Sequence, residues 1–292
     1  MKEKNNYIYE NKKINFSRIK NSVSTFFIHA VPIMIAIVAI LPFIHIFLIS
    51  IQHVFHLHAD PKLILPREPT LETYLTALKD TGVLRWILNS FLVATSVTAI
   101  TLIIHSAAGY AFYKNRFNKF INILFNIVLI GIMIPRAVTI LPTFLLVKEF
   151  HLLDTYFALI LPPLALPVGI FLIRQAMYSF PMALVDSAKI DGCSEIGSFF
   201  RIVFPILKPS LVVLGIYTFM EQWRDFIWPL ISVSSESKKT IPVGLSTLVS
   251  IFRTDYGVYM ATLMTTMLPS MIVFLIFQQY FIKGLTAGAL KE

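Results

Sequence analysis

The chain has 292 residues, 56% of them hydrophobic and only 14% charged, with a mean hydropathy of +0.73. Soluble domains carry about a quarter charged residues, so this composition excludes an ordinary water-soluble domain and points to the bilayer. The net charge of +9 does not indicate nucleic acid, because basic residues that bind it cluster on one polar face, whereas here they separate apolar runs; the single cysteine, Cys193, excludes an intramolecular disulfide and a thiol cluster for a metal or redox pair.

Residues 1–26 are polar and basic, and they run too long before the first apolar stretch for a cleavable signal peptide. They are expected to form a cytoplasmic tail. A spanning helix needs roughly 20 mostly apolar residues, and six stretches qualify: Phe27–Ile51, Trp86–Tyr113, Ile121–Val147, Tyr156–Met177, Pro209–Ser232 and Tyr259–Ile282. Prolines interrupt several of them, among them Pro32, Pro135, Pro142, Pro167 and Pro269. Within a membrane such breaks survive where neighbouring helices satisfy the freed backbone groups. The expectation is therefore an all-α polytopic membrane protein: a kinked, tightly packed bundle of six transmembrane helices without internal repeats. A first helix and external loop occupy 27–85, a five-helix core 86–282, and a short tail 283–292.

Basic residues set the orientation, since cytoplasmic loops carry the excess of Lys and Arg. With the amino terminus inside, the inner segments 1–26, 114–120, 174–208 and 283–292 hold 15 of them and the outer segments hold 8. Both termini are expected in the cytoplasm, together with the polar stretch between the fourth and fifth spans.

That stretch, "LVDSAKIDGCSEIGSFFRIVFP" from Leu184 to Pro205, carries Asp186, Lys189, Asp191, Glu195 and Arg201. Ser179 to Gly192 reads as a short helix with Ser179 as cap, Pro181 in the first turn and Gly192 in the left-handed position past its end. Asp186 and Lys189, three apart, could pair for a few tenths of a kcal/mol. A second helix restarts near Ser194 and runs to Pro205. Two short helices meeting at an angle, with small residues Ser187, Ala188 and Gly192 near the bend, form a knob that a partner's groove could accept. An ordinary interfacial loop helix fits the same residues.

Ionisable groups inside a membrane are costly and mark functional positions. Arg136 falls mid-span in the third helix, and Glu221, Arg224 and Asp225 fall near one face of the fifth. With Trp223 beside them they offer the hydrogen bonding and aromatic surface of a solute path, or alternatively a polar contact to a second subunit. His53, His56 and His58 in "QHVFHLHAD" have only Asp60 beside them and lack a recognised zinc spacing, so no metal site is expected.

The loop pattern carries a resemblance. Asp186-Ser187-Ala188, three residues, Gly192, nine residues, Ile202, one residue, Phe204-Pro205 resembles the cytoplasmic EAA loop of ATP-binding-cassette (ABC) importer permeases, which reads Glu-Ala-Ala, Gly, Ile and Leu-Pro at the same spacing. Asp, Ser and Phe stand here for Glu, Ala and Leu. "IPRAVTILPTF" (Ile134–Phe144), "FMEQWRDFIWPL" (Phe219–Leu230) and "KKTIPVGLSTL" (Lys238–Leu248) resemble the carbohydrate-importer branch, and the ending "FIKGLTAGALKE" is similar to the maltose-permease type. The family more often has asparagine at the place of Arg224 and a small residue at that of Arg136. The resemblance implies the type I ABC importer permease fold. It implies that the 181–205 loop docks on a separate ATPase through Asp186, Ser187, Ala188, Gly192, Ile202 and Pro205. It implies a second ATPase contact at Gly284, Thr286, Ala287 and Gly288, for which a frayed polar terminus is the alternative.

The partners implied are a second permease subunit, a dimer of ATPase subunits, an extracytoplasmic solute-binding protein and the lipids of a bacterial cytoplasmic membrane. The chain has no GxxxxGK[ST] phosphate loop, so ATP and magnesium belong to the ATPase, and no cofactor is expected on this chain. The function implied is sugar or oligosaccharide import, with glycerol phosphate or an acidic sugar as alternative cargo. An ion-coupled secondary transporter would need mid-membrane carboxylates, which only Glu221 and Asp225 offer; a membrane enzyme would need a nucleophile or paired acids in the polar loops, and none recur.

Overall fold

The structure is a computed structural model in which residues 28–52, 69–251 and 256–289 are described, the backbone alone for 249–251, 274 and 277–289. His53, His56, His58 and Asp60 lie outside the described residues. Among those described the chain is helical, with one isolated antiparallel bridge between Gln52 and Pro69.

Helix α1 (Ile28–Ser50) matches the first expected span. It presents Ile33, Met34, Ile37 and Val38 outward along its length, the surface of a helix meant for lipid. Helix α2 (Glu72–Asp80) follows, fastened to the end of α1 by Thr73 Oγ1 donating to the Ser50 carbonyl at 2.5 Å. Helix α3 (Val83–Lys114) is the axis of the molecule. Its contact face alternates small and polar residues (Asn89, Ser90, Ala94, Thr101, Ser106, Gly109), all buried, which lets other helices approach closely.

The third expected span is two helices, α4 (Lys119–Met133) and α5 (Arg136–Glu149), meeting at 106°. Proline disfavours the α conformation of the residue before it. Ile134 accordingly sits at ψ 117° and Pro135 at ψ 134°, so two extended residues turn the chain. The fourth expected span is likewise broken. Helix α6 (Tyr156–Ile160) and a 3-10 turn over Pro162–Leu164 precede α7 (Pro167–Ala176), with a bend of 45°. The Leu164 carbonyl at this break accepts from the Leu166 amide at 2.9 Å and meets the buried His105 Nε2 of α3 at 2.9 Å.

After a 3-10 turn over Met177–Ser179 come two short helices, α8 (Ala183–Ile190) and α9 (Glu195–Ser198), then a π-helical turn over Phe199–Val203 and α10 (Phe204–Ile206). Helix α11 (Lys208–Trp223) leaves at 79° to this segment. The fifth expected span also breaks: α11 ends at Trp223, and α12 (Ile227–Ser232) resumes after Arg224, Asp225 and Phe226. Helices α13 (Ile241–Ile251) and α14 (Tyr256–Ala289) complete the chain, α14 running through Pro269.

Among the described residues three helices, α1, α3 and the first part of α14 (Tyr256–Val273), are long and apolar enough to cross a membrane; counting each bent pair as one span gives up to six. Helix α3 is packed most extensively against α11 and α7. At one end its core joins Tyr110, Tyr113, Ile173, Met177, Val185, Phe199, Val203 and Leu214. At the other end Trp86 lies among Val83, Trp223, Ile241 and Leu248, with Gly244 so close that an added Cβ would stand 2.1 Å from the indole.

Candidate functional site

The polar loop folds as two short helices bent at Gly192, as its sequence suggests, but with different details. Ser179 does not cap the first helix: it closes the 3-10 turn, Phe180 is extended, and α8 begins at Ala183 after Met182, without a side-chain cap. Gly192 has φ +83°, the left-handed conformation that reverses the chain, and its amide donates to the Lys189 carbonyl at 3.0 Å. Ser194 caps α9, its Oγ accepting from the Gly197 amide at 3.1 Å. The second helix does not stop at Pro205. Phe204 N–H reaches back five residues to the Phe199 carbonyl, and this wide turn carries the chain past the proline, which has no N–H of its own to donate.

On α8 only Val185 is buried. Asp186, Ser187 and Asp191 are exposed, as are Leu184 and, at 86%, Ile190; Gly192 and Pro205 are exposed and Ala188 and Ile202 half-buried. Lys189 does not pair with Asp186. It turns to Glu195, Nζ to Oε2 2.9 Å, because that carboxylate also collects Lys114 Nζ at 2.5 Å and the Tyr110 hydroxyl at 3.0 Å on α3. A local pair three residues apart contributes only tenths of a kcal/mol and loses to this wider network. Hydrogen bonds from Lys114 and then Lys189 hold the Glu195 carboxyl down at about 2, and Glu195 in turn raises the Lys189 ammonium. Beside the network lies a cavity of about 520 Å³ walled by Ile103, Tyr110, Phe199 and Phe200, with Lys114 and Glu195 at its polar end. Sequence spacing gave no signal for these partners, which are 81 and 85 residues apart.

The charged residues of the third and fifth expected spans meet where both helices break. Arg136 is the first residue of α5, not mid-helix, and Arg224 and Asp225 occupy the gap after α11. The three groups of the fifth span do not form one mutual cluster on a helical face. Glu221 pairs with Arg224, while Asp225 reaches across to Arg136, Oδ2 to Nη2 2.5 Å. The acid is buried, 8% exposed, and both guanidinium groups face outward, Arg136 at 53% and Arg224 at 72%. Trp223 stays in the core, stacked on Phe219 at 5.5 Å, and Trp228 is buried with its Nε1 donating to the Ala158 carbonyl at 2.8 Å. The open surface of this site is therefore guanidinium rather than indole.

A further hub, unmarked in the sequence, joins the connection before α6 to that after α12. Asp154, itself at φ +57°, accepts from the Ser234 and Ser235 amides at 3.1 and 3.0 Å, from the Ser235 hydroxyl, and from Lys238 Nζ at 3.2 Å. The Ser235 bonds above all hold its carboxyl well below the usual carboxylate range. The backbone of Gly284, Thr286 and Gly288 continues α14 instead of fraying after it. Among the described residues no group of three His, Cys, Asp or Glu side chains is arranged to hold a metal ion.

Known proteins resemble this chain in sequence and in fold. The chain is 35% identical to the arabinooligosaccharides transport system permease protein AraQ of Halalkalibacterium halodurans, over 88% of this chain and 93% of the relative. It is 41% identical to the protein of the same name from Bacillus subtilis, over 71% of this chain and 73% of the relative. In three dimensions it resembles a chain of a bacterial ABC transporter involved in the import of the acidic polysaccharide alginate, with a TM-score of 0.76 at 20% identity, covering 87% of this chain and 95% of the other. Residues 106–287, which contain the bent loop, both outward guanidinium groups and most of α14, match a single family description. Apolar spans, a polar loop of the importer pattern and full-length relatives that are all transport permeases agree: the chain is a multi-pass permease subunit, not an enzyme, and belongs to the family of binding-protein-dependent transport system inner membrane components.

Proposed function

We propose that this chain translocates a sugar or oligosaccharide across the bacterial cytoplasmic membrane by alternating access, driven by a separate ATPase that docks on the 181–205 loop. The observation that carries the reading is the loop itself. A short helix with one buried side chain, an exposed apolar surface at Leu184 and Ile190 and a left-handed glycine at its end is poorly used by its own chain. Asp186, Ser187, Ala188, Gly192, Ile202 and Pro205 form the docking element, and Gly284, Thr286 and Gly288 give a second contact with the same subunit. Six spans with both termini in the cytoplasm put both contacts on one side of the membrane, in agreement with the distribution of basic residues. In domain terms, 1–26 and 283–292 are cytoplasmic tails, 27–85 a first helix with its external loop, and 86–282 the five-helix transport core.

Six helices are few to enclose a sugar-wide path, so a second permease completes it and an extracytoplasmic binding protein delivers solute. ATP and magnesium are bound by the ATPase dimer. Arginine at the level of the apolar spans does not face lipid, so the side bearing Arg136, Glu221, Arg224 and Asp225 faces the path or the second permease, with Trp223 supporting it from the core. The relatives' arabino-oligosaccharides favour a neutral oligosaccharide. The outward guanidinium groups favour the second reading, a solute carrying a carboxylate or phosphate.

The test is co-expression with the neighbouring permease, ATPase and binding-protein genes. The ATPase should co-purify with this chain, and Ser187→Arg should abolish the association, because Ser187 is exposed and bulk there leaves the permease's own packing intact. Vesicles holding the complex should take up arabinotriose only with ATP inside; preferred uptake of trigalacturonate would select the second reading. Uptake that survives Ser187→Arg and follows a proton gradient would overturn the proposal.

A further inference from the structure

The docking helix is only lightly attached to the rest of its own chain. Val185 is its single buried side chain, and at Gly192 an added Cβ would meet nothing within 4 Å, so nothing packed at the bend itself sets the angle at which α8 leaves α9. The residues that follow are held more firmly in the same core: beside Val185, both Phe199 and Val203 are buried with Tyr110 and Tyr113 of α3. A force on the exposed face of α8 would therefore turn α8 about the glycine before it moved the membrane core.

One carboxylate crosses the bend. Glu195 begins α9, binds Lys189 of α8 through Oε2 at 2.9 Å, and binds Lys114 and Tyr110 of α3 through Oε1 at 2.5 and 3.0 Å. All three charged groups are partly exposed, and exposed ion pairs contribute about 0–1 kcal/mol each. The fold does not depend on them, since Val185, Phe199 and Val203 already bury the apolar side. What the shared carboxylate adds is geometry: it closes a triangle among α8, α9 and the cytoplasmic end of α3.

We propose that Glu195, with Lys114 and Lys189, is a positioning device for energy coupling: it fixes α8 against α3, so that displacement of the docking helix is delivered to α3. The inference rests on the ATP-driven reading given above. Helix α3 suits the role because it runs 32 residues and packs most extensively on α11 and α7, the helices that border the breaks at Arg224 and Leu166. Sub-ångström play at a surface pair is thereby turned into movement of a rigid rod.

The experiment uses the assembled complex in nanodiscs, with Cys193→Ser and two pairs of spin labels. Ala183→Cys with Phe117→Cys spans α8 and the end of α3; Phe117→Cys with Phe150→Cys spans the chain between its two sides. All three labelled positions are exposed. Distances are measured without nucleotide and with ATP plus vanadate. The expected result is a shift of several ångströms in the second pair and none in the first. In Glu195→Gln, which keeps shape and the Tyr110 hydrogen bond but loses both ion pairs, the first pair should broaden and shift with nucleotide. Lys114→Met should do the same and Lys114→Arg should not, a charge dependence that a purely packing role lacks. A shift of the first pair in the unsubstituted chain, or a narrow unshifted distance in both Glu195→Gln and Lys114→Met, overturns the proposal. If nucleotide moves neither pair and the complex hydrolyses no ATP, the importer reading itself falls, and this inference with it.

Discussion

Replacing Gly192 separates two reasons for a glycine at the bend. The residue sits at φ +83°, and a Cβ there would touch no atom of this chain within 4 Å. Substitution therefore meets backbone strain alone. For an ordinary L-residue the left-handed conformation costs about 1–2 kcal/mol, enough to lower the bent conformation roughly 5–30-fold against its competitors. Asparagine visits this region more readily, and a β-branched residue least. Association with the ATPase, read as the fraction retained on an affinity-tagged permease, should fall in the order Gly, Asn, Ala, Val. The thermal midpoint of the permease should hardly move, because α8 buries a single side chain. If asparagine were worse than alanine, size rather than φ would govern, and the glycine would serve the partner's surface instead of the turn. A large loss of thermal stability in the alanine variant would refute the reasoning from the other side.

Three further substitutions test other parts of the molecule. Gly244→Ala drives a methyl into the buried Trp86 indole and should destabilise by about 1–3 kcal/mol, seen as a lower melting point in detergent; an unchanged melting point would refute the close approach. Asp225→Asn leaves Arg136 without its counter-charge at the level of the spans and should cost about 1 kcal/mol, since the charge left behind is half-exposed. Arg136→Gln in the same chain should restore much of that stability, and an additive double variant would deny the pairing. Asp154 has its carboxyl lowered in the folded state, so its stabilisation is full above the unfolded carboxylate value of about 3.9 and is lost as pH falls through the folded one. Hydrogen exchange at the Ser234 and Ser235 amides should stay slow down to mildly acidic pH, and in Asp154→Asn be fast at every pH; equal protection in the variant would refute the role.

The existence of the spans was legible because long apolar runs need no partner to be recognised. Their breaks were not, because the same residue types, proline above all, occur both inside helices and at bends. Pro142 and Pro269 lie inside helices while Pro135 and Pro167 border bends, a difference decided by what neighbouring helices offer the freed carbonyls. The bend at Gly192 was legible for a local reason: a left-handed turn is written in a single residue type. Partners of charged groups were not. Lys189 had Asp186 three residues away and chose Glu195, and Asp225 had Arg224 beside it and chose Arg136, 89 residues earlier. Each choice depends on how many donors converge in space. Trp223 looked like a path residue by type, yet the turn of α11 aims it at Phe219 and the core.

The contact between His105 and the Leu164 carbonyl bears on how the protein is made. A backbone carbonyl in hydrocarbon needs a partner, and the Leu164 carbonyl has the tight turn to the Leu166 amide at 2.9 Å within its own segment, so His105 supplies the broken segment α6–α7 with a second donor as it enters the bilayer. Synthesis places α3 in the membrane first, with His105 on its buried face. The earlier helix thus acts as a template for the later one, and the order of the genes' codons is also the order in which the breaks become tolerable. In a ribosome-arrest measurement, His105→Leu should delay the release of the fourth span into lipid while leaving α1 and α3 unaffected; release at the normal length would show that the Leu166 amide alone satisfies the break.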